Sequence, residues 1–249
     1  MTEKNKLKDL LLVLAAFAVA QLAGLLLISV LSGLVQEYWY ALLINAVCIL
    51  GVNVAVYLLV CGTPKLSPKA ENYSRAEPFA ILFGAVFLSC LSAFLFRLIF
   101  PQEVGSDATF SETDLLMYAA YTIILSPIAE EAAFRRAALS RLAVSFGTHS
   151  AALISAFFFA AYHLDVSQMP YTFVLGYFLA LLAQRSGSIV PCVFVHTGNN
   201  LITLMAAIWD DLSFALDIVV PILGISGLVW LVVTGRWLNC KREKLFRYK

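Results

Sequence analysis

The chain has 249 residues, 61% of them hydrophobic and only 13% charged, whereas about a quarter of the residues in soluble proteins are charged. Seventeen basic and sixteen acidic residues leave a net charge of +1, and the mean hydropathy is +0.85. A water-facing surface needs more charge than this, so soluble enzymes, disordered segments and nucleic-acid-binding modules are excluded, and an integral membrane protein is implied.

In chain order, the N-terminal MTEKNKLKDLLLVLAAFAVAQLAGLLLISVLSGLV joins a basic start to an apolar run longer than the core of a cleaved signal peptide, and reads as a retained first span. At about 20 apolar residues per crossing, the chain divides into some eight segments: 10–34, 40–61, 78–100, 115–141, 149–164, 170–184, 189–208 and 213–237. The expected fold is therefore all-α, a polytopic transmembrane helix bundle forming a single domain over 1–249. Lysine and arginine stay on the cytoplasmic side. With the N-terminus inside, 16 of the 17 basic residues fall on that side, while Arg97 lies near the outer end of the third span. Glu37, Glu103, Asp107, Glu112, Asp114, Asp165, Asp210 and Asp211 fall in the outer loops. An even number of spans with both termini cytoplasmic follows. Cys48, Cys61, Cys90, Cys192 and Cys240 are odd in number and scattered, so no disulfide framework is expected.

A few polar residues remain inside the apolar helices, where they are expensive and point to function. They form three patterns: Glu130-Glu131-Ala-Ala-Phe-Arg135, Phe159-Ala-Ala-Tyr-His163 and His196-Thr-Gly-Asn-Asn200. Neighbouring helical side chains diverge by about 100°, and residues four apart share a face. Glu131 therefore pairs with Arg135, while Glu130 faces the bundle interior without a local partner. His196 and Asn200 share a face with Cys192. At about 1.5 Å per residue from the cytoplasmic boundary, Glu130, His163, His196 and Asn200 all lie roughly 13–21 Å deep, in a site expected to open toward the cytoplasm.

A carboxylate beside an imidazole activates water, and an imidazole with an amide stabilises an oxyanion. This set suits peptide-bond hydrolysis within or at the edge of the membrane. Glu130 is the expected general base, with His163 orienting and polarising the water and His196 and Asn200 serving the oxyanion. Glu131 and Arg135 would hold the fourth helix in register and tune Glu130.

These three patterns, in this order and each on its own apolar helix, resemble the CPBP or Abi membrane peptidases, which include the type II CAAX prenyl endopeptidases and bacteriocin-processing and immunity proteins. The likeness rests on EE-x-x-x-R (Glu130, Glu131, Arg135), F-x-x-x-H (Phe159, His163) and H-x-x-x-N (His196, Asn200), within a catalytic core of about 115–208. It implies an eight-helix CAAX-type intramembrane protease whose catalytic groups are Glu130, His163, His196 and Asn200, acting on a membrane-associated or lipidated peptide or leader. Arg136 stands where the family usually has glycine, and Ala132 and Ala133 are smaller than the family's bulky residues.

The reaction is expected to be metal-free, with no cofactor, since Asn200 suits hydrogen-bond donation better than ligation. The zinc-dependent alternative would use Glu130, His163 and His196. A catalytically idle scaffold, or a bacteriocin-immunity or export partner, is the alternative function. Expected partners are membrane lipid, a peptide or protein substrate and an exported-peptide or membrane partner, with no nucleic acid. The expected location is a bacterial plasma membrane.

Overall fold

The computed structural model describes residues 3–31, 38–66, 70–71, 73–99, 112–166, 168–208, 222–227 and 229–230. Among these residues every regular element is helical, as an apolar surround favours, because a helix satisfies its own backbone N–H and C=O groups. The long helices are α1 (Glu3–Leu31), α2 (Tyr38–Cys61), α3 (Glu77–Ile99), α4 (residues 112–145), α5 (Thr148–Tyr162), α6 (Met169–Ser186) and α7 (Val190–Ile208). Each coincides with one expected apolar segment. The eighth segment, 213–237, is helical at 222–227 and 229–230, and the rest of it lies outside the described residues, as does the basic tail.

Helix α4 is one rod with two π-helical stretches, Ala120–Leu125 and Ala132–Leu139. A π stretch shifts the backbone ladder from i→i+4 to i→i+5 and leaves carbonyls for other donors. Asn200 Nδ2 takes the Thr122 carbonyl at 2.9 Å and Thr197 Oγ1 takes that of Ile123 at 2.9 Å, fastening α7 to the first stretch. On the second, Ser155 of α5 donates to Phe134 O at 3.2 Å, and Ser140 donates to the Arg135 and Arg136 carbonyls at 3.1 and 2.7 Å. Hydroxyls and amides scattered through apolar helices thus serve as interhelical fasteners.

The molecule's polarity is the reverse of a soluble protein's. Leu7, Leu11, Leu22, Leu25, Leu26 and Phe157 face outward, while Glu77, Glu131, Arg135 and Ser155 are 0% exposed. Among the described residues, Glu3–Leu27 is alone long and apolar enough to cross a membrane, with a mean hydropathy of 2.6; Leu50–Cys61, Glu77–Leu88 and Thr148–Tyr162 are shorter apolar stretches.

One end of the bundle is held by buried charge. Arg185, one of the 16 basic residues placed by sequence on the cytoplasmic side, is only 2% exposed and grips Glu77 with two 2.8 Å bonds, one from Nε and one from Nη2. Glu77 Oε1 also accepts the Ser74 N–H at 3.0 Å. This is the S-x-x-E capping arrangement that starts a helix, so one carboxylate both begins α3 and anchors the end of α6. Asp9 pairs with Arg141 at 2.9 Å and accepts Ser145, tying α1 to the end of α4. Arg136 donates to the Pro64 carbonyl at 2.5 Å. The residue that departs from the family pattern therefore closes the loop after α2. Gly187, in the left-handed region at φ 68, ends α6 at the same level.

Deeper in, α6 crosses α5 at Gly176, where a Cβ would lie 2.9 Å from the Phe159 ring and 3.3 Å from the Ala156 backbone. Only glycine permits that approach. Arg185→Ala leaves Glu77 buried without its partner and should destabilise the fold by about 3–5 kcal/mol, read as a lowered unfolding midpoint in detergent. In the same assay Gly176→Ala should cost about 1–3 kcal/mol, and an unchanged midpoint would contradict the close crossing.

Candidate active site

The two adjacent glutamates diverge as helical geometry requires. Glu130, 6% exposed, accepts a hydrogen bond from Ser126, one turn earlier on α4, through Oε1. Its other oxygen, Oε2, has no hydrogen-bond partner and lies 3.8 Å from His196 Nε2. Glu131 turns away into protein, where Oε2 lies 3.1 Å from Arg135 Nε and Oε1 lies 3.0 Å from His196 Nδ1. The sequence placed Glu131 with Arg135 correctly but did not connect it to His196. Likewise Glu130, expected to lack a local partner, has Ser126, whose i, i+4 spacing was readable in the sequence.

The Glu131 contact fixes the chemistry of His196. A carboxylate only accepts, so Nδ1 carries the proton and Nε2 is the nitrogen turned toward Glu130. His163 is fixed in the same way, because its Nδ1 lies 2.9 Å from the Phe159 carbonyl and donates to it, leaving Nε2 free. His163 ends α5, and Leu164 follows in the left-handed region at φ 51, a conformation that costs a non-glycine residue about 1–2 kcal/mol. The chain thus turns sharply away just after the imidazole.

Phe159 is the hub beneath these groups. The Arg135 guanidinium carbon sits 4.2 Å above its ring, and the His163 and His196 rings meet it edge-on at 5.0 and 5.7 Å. Arg135 also reaches the Gly176 carbonyl, with Nη2 at 3.4 Å. Cation–π and edge-to-face contacts of this kind orient the charged and imidazole groups without adding charge.

A cavity of about 740 Å³ is lined by Glu130, His163, His196 and Asn200 together, with Phe159 and Ser126. All four residues expected to act on substrate therefore face one space, while Glu131 and Arg135 stand behind the wall. Asn200 spends one amide N–H on Thr122 O, and its Oδ1 accepts from Asn199 at 3.3 Å; its second N–H remains available. Cys192, on the same stripe as His196, is turned aside and donates to the Leu179 carbonyl at 3.3 Å.

The cavity has a direction within the bundle. Its walls run from Glu130 back to Leu115 on α4, from Leu175 on α6 back to Gln168 just before that helix, and from His196 onward to Leu204 on α7. All three runs lead away from the end where Glu77 pairs with Arg185 and Asp9 with Arg141. Toward that end Phe134, Leu139, Leu142, Leu179 and Leu182 are fully buried and close the floor.

Among the described residues, no group of three His, Cys, Asp or Glu side chains is placed to hold a metal ion.

No curated protein and no solved structure matches the chain. Residues 112–202 match the family model of the type II CAAX prenyl endopeptidase Rce1-like proteins. That stretch begins with α4 and runs into α7, and so spans the helices that carry Glu130, His163, His196 and Asn200, and over these residues the chain is similar to the type II CAAX prenyl endopeptidases.

Proposed function

We propose that the chain is an intramembrane endopeptidase, a multi-pass protein of a bacterial plasma membrane with both termini cytoplasmic, one domain over 1–249, and a catalytic core of about 115–208. Its substrate is a membrane-associated or lipidated peptide or leader segment. The observation that carries this reading is the uncommitted Glu130 Oε2, buried on a cavity wall 3.8 Å from an imidazole nitrogen. An unpaired carboxylate oxygen in such a place is costly unless it has work to do.

In the proposed reaction, Glu130 takes a proton from water as the water oxygen attacks the peptide carbonyl, and His163 accepts the second hydrogen through Nε2 to aim it. Ser126 steadies Glu130 from behind. The oxyanion is met by the remaining Asn200 N–H and by His196. Because the Nδ1 proton of His196 is tied to Glu131, His196 donates from Nε2 only as the imidazolium, so the oxyanion role requires the doubly protonated ring. As the tetrahedral intermediate collapses, the proton held on Glu130 passes to the departing amine nitrogen. The products are a carboxylic acid and an amine. Glu131 and Arg135 keep the His196 ring in place through a buried ion pair and take no part in bond making. No metal or cofactor is required by this scheme.

Glu130→Gln preserves shape and should lower kcat by about 10²–10⁴ with an unchanged unfolding midpoint; cleavage at the native rate would favour the idle scaffold or immunity reading. Arg135→Ala should instead cost about 3–5 kcal/mol of stability by leaving Glu131 buried without its cation. Cleavage by purified protein should survive a strong chelator, and stoichiometric zinc whose removal abolishes activity would overturn the metal-free scheme.

A further inference from the structure

We infer, resting on the proposed peptidase reading, that the Tyr162 hydroxyl is a substrate-binding donor of the cavity, aimed by Asn53 of α2 at a backbone carbonyl of the peptide. Neither residue has a part in the scheme above. Position 162 is left open by the F-x-x-x-H pattern, and α2 lies outside residues 112–202 that match the endopeptidase family model.

Asn53 is 4% exposed inside α2, where an amide in an apolar helix needs a partner. Its Nδ2 donates to the hydroxyl oxygen of Tyr162, the last residue of α5, at 2.9 Å. The Tyr162 ring meets Phe134 and His163 edge-on at 5.4 and 6.0 Å, so the ring is held and only the O–H torsion is left to turn. A hydroxyl that accepts a hydrogen bond still has its own proton to give. Among the described residues, that proton has no acceptor. Of the charges that act on this hydroxyl, the Glu130 carboxylate acts most strongly, and both groups line the cavity. Negative charge on the cavity side draws the phenol proton that way and leaves the oxygen lone pairs to the Asn53 amide.

Other hydroxyls on the cavity wall have spent their protons. Thr122 donates to the Tyr118 carbonyl at 2.8 Å, Thr172 to the Gln168 carbonyl at 2.8 Å and Thr203 to the Asn199 carbonyl at 2.9 Å. Tyr171 donates to Gln168 Oε1 at 3.5 Å, and Ser126 donates to Glu130. Tyr121 bonds to Ser126, whose own proton is taken, so the phenol is the donor there. Glu130 Oε2 and His163 Nε2 are acceptors. A peptide drawn into this space must pair its carbonyl oxygens, because an unpaired buried carbonyl is costly. The second N–H of Asn200 is committed to the oxyanion, which leaves the Tyr162 hydroxyl, beside His163, for a neighbouring carbonyl. Asn53 is then a positioning residue that acts through Tyr162.

The test uses the purified full chain in detergent, with fluorescein-labelled casein, an unfolded protein, as the probe. Binding is read by fluorescence anisotropy in the Glu130→Gln background, so that no cleavage intervenes, and the unfolding midpoint of each variant is measured beside it. Tyr162→Phe should weaken casein binding about three- to tenfold, as expected for one neutral hydrogen bond. Asn53→Leu, which keeps the hydroxyl but releases it, should weaken binding by less. Each single change strands a buried polar group, whereas Asn53→Leu combined with Tyr162→Phe removes both and should recover the midpoint; this pair should bind as weakly as Tyr162→Phe alone. With Glu130 intact, kcat/KM for casein should fall by the same factor, carried by KM. Binding unchanged within about twofold in Tyr162→Phe, with only the midpoint lowered, would make the bond a tether between α2 and α5 and overturn the inference. It would equally be overturned if casein did not bind the Glu130→Gln chain at all, or if the loss in Tyr162→Phe were confined to kcat. If casein binding depends on Tyr162 but the native chain leaves casein uncut, the proposed hydrolysis falls and the backbone donor stands.

Discussion

The carboxylate of Glu131, fully buried and shared between the Arg135 guanidinium and the His196 imidazole, is the interaction on which the rest of the site depends. A lone ion is too costly to bury in an apolar bundle, and here two acids, a guanidinium and an imidazole offset one another. Arg135 lies over Phe159 and reaches the Gly176 carbonyl, so the network fixes α6 as well as α4. His196 brings in α7, and Phe159 brings in α5. Removing the Glu131 carboxylate would leave a buried cation and an imidazole without its Nδ1 acceptor together.

The second constraint is the supply of backbone acceptors. Two π stretches in α4 release carbonyls at Thr122, Ile123, Phe134, Arg135 and Arg136, and side chains on α5 and α7, with Ser140 of α4 itself, occupy them. The helix that carries the glutamates is thus bound sideways to the helices that carry the histidines. The candidate catalytic groups are held by fasteners that leave the interior without a loose polar backbone group at these positions, a device suited to a hydrocarbon surround. Polar pairing at the closed end and the apolar floor below Glu130 together leave the cavity only one direction in which to extend.

Much of this was legible in the sequence because the bilayer simplifies the pattern. Seven apolar segments fall on α1 to α7, and Glu130, His163, His196 and Asn200 could be picked out because polar residues are rare inside such helices. What could not be read depends on neighbours from distant parts of the chain. The burial of Arg185 had no local sign because its partner, Glu77, lies 108 residues earlier. The bond between Glu131 and His196 joins helices whose relative rotation no periodicity specifies. The π stretches have no compositional mark, and they change which carbonyls meet α7. The cavity's direction depends on which layer packs tightly, a property of alanines, leucines and phenylalanines that read as ordinary span residues.

The central claim is that Glu131 and His196 act as one unit behind the cavity wall. A double-mutant cycle of Glu131→Gln and His196→Ala, measured as unfolding free energy in detergent, tests it most directly. A bond between a carboxylate and an imidazole N–H predicts a coupling of about 1.5–3 kcal/mol. Additivity within about 0.5 kcal/mol would mean that the two side chains do not hold each other, and would contradict the account.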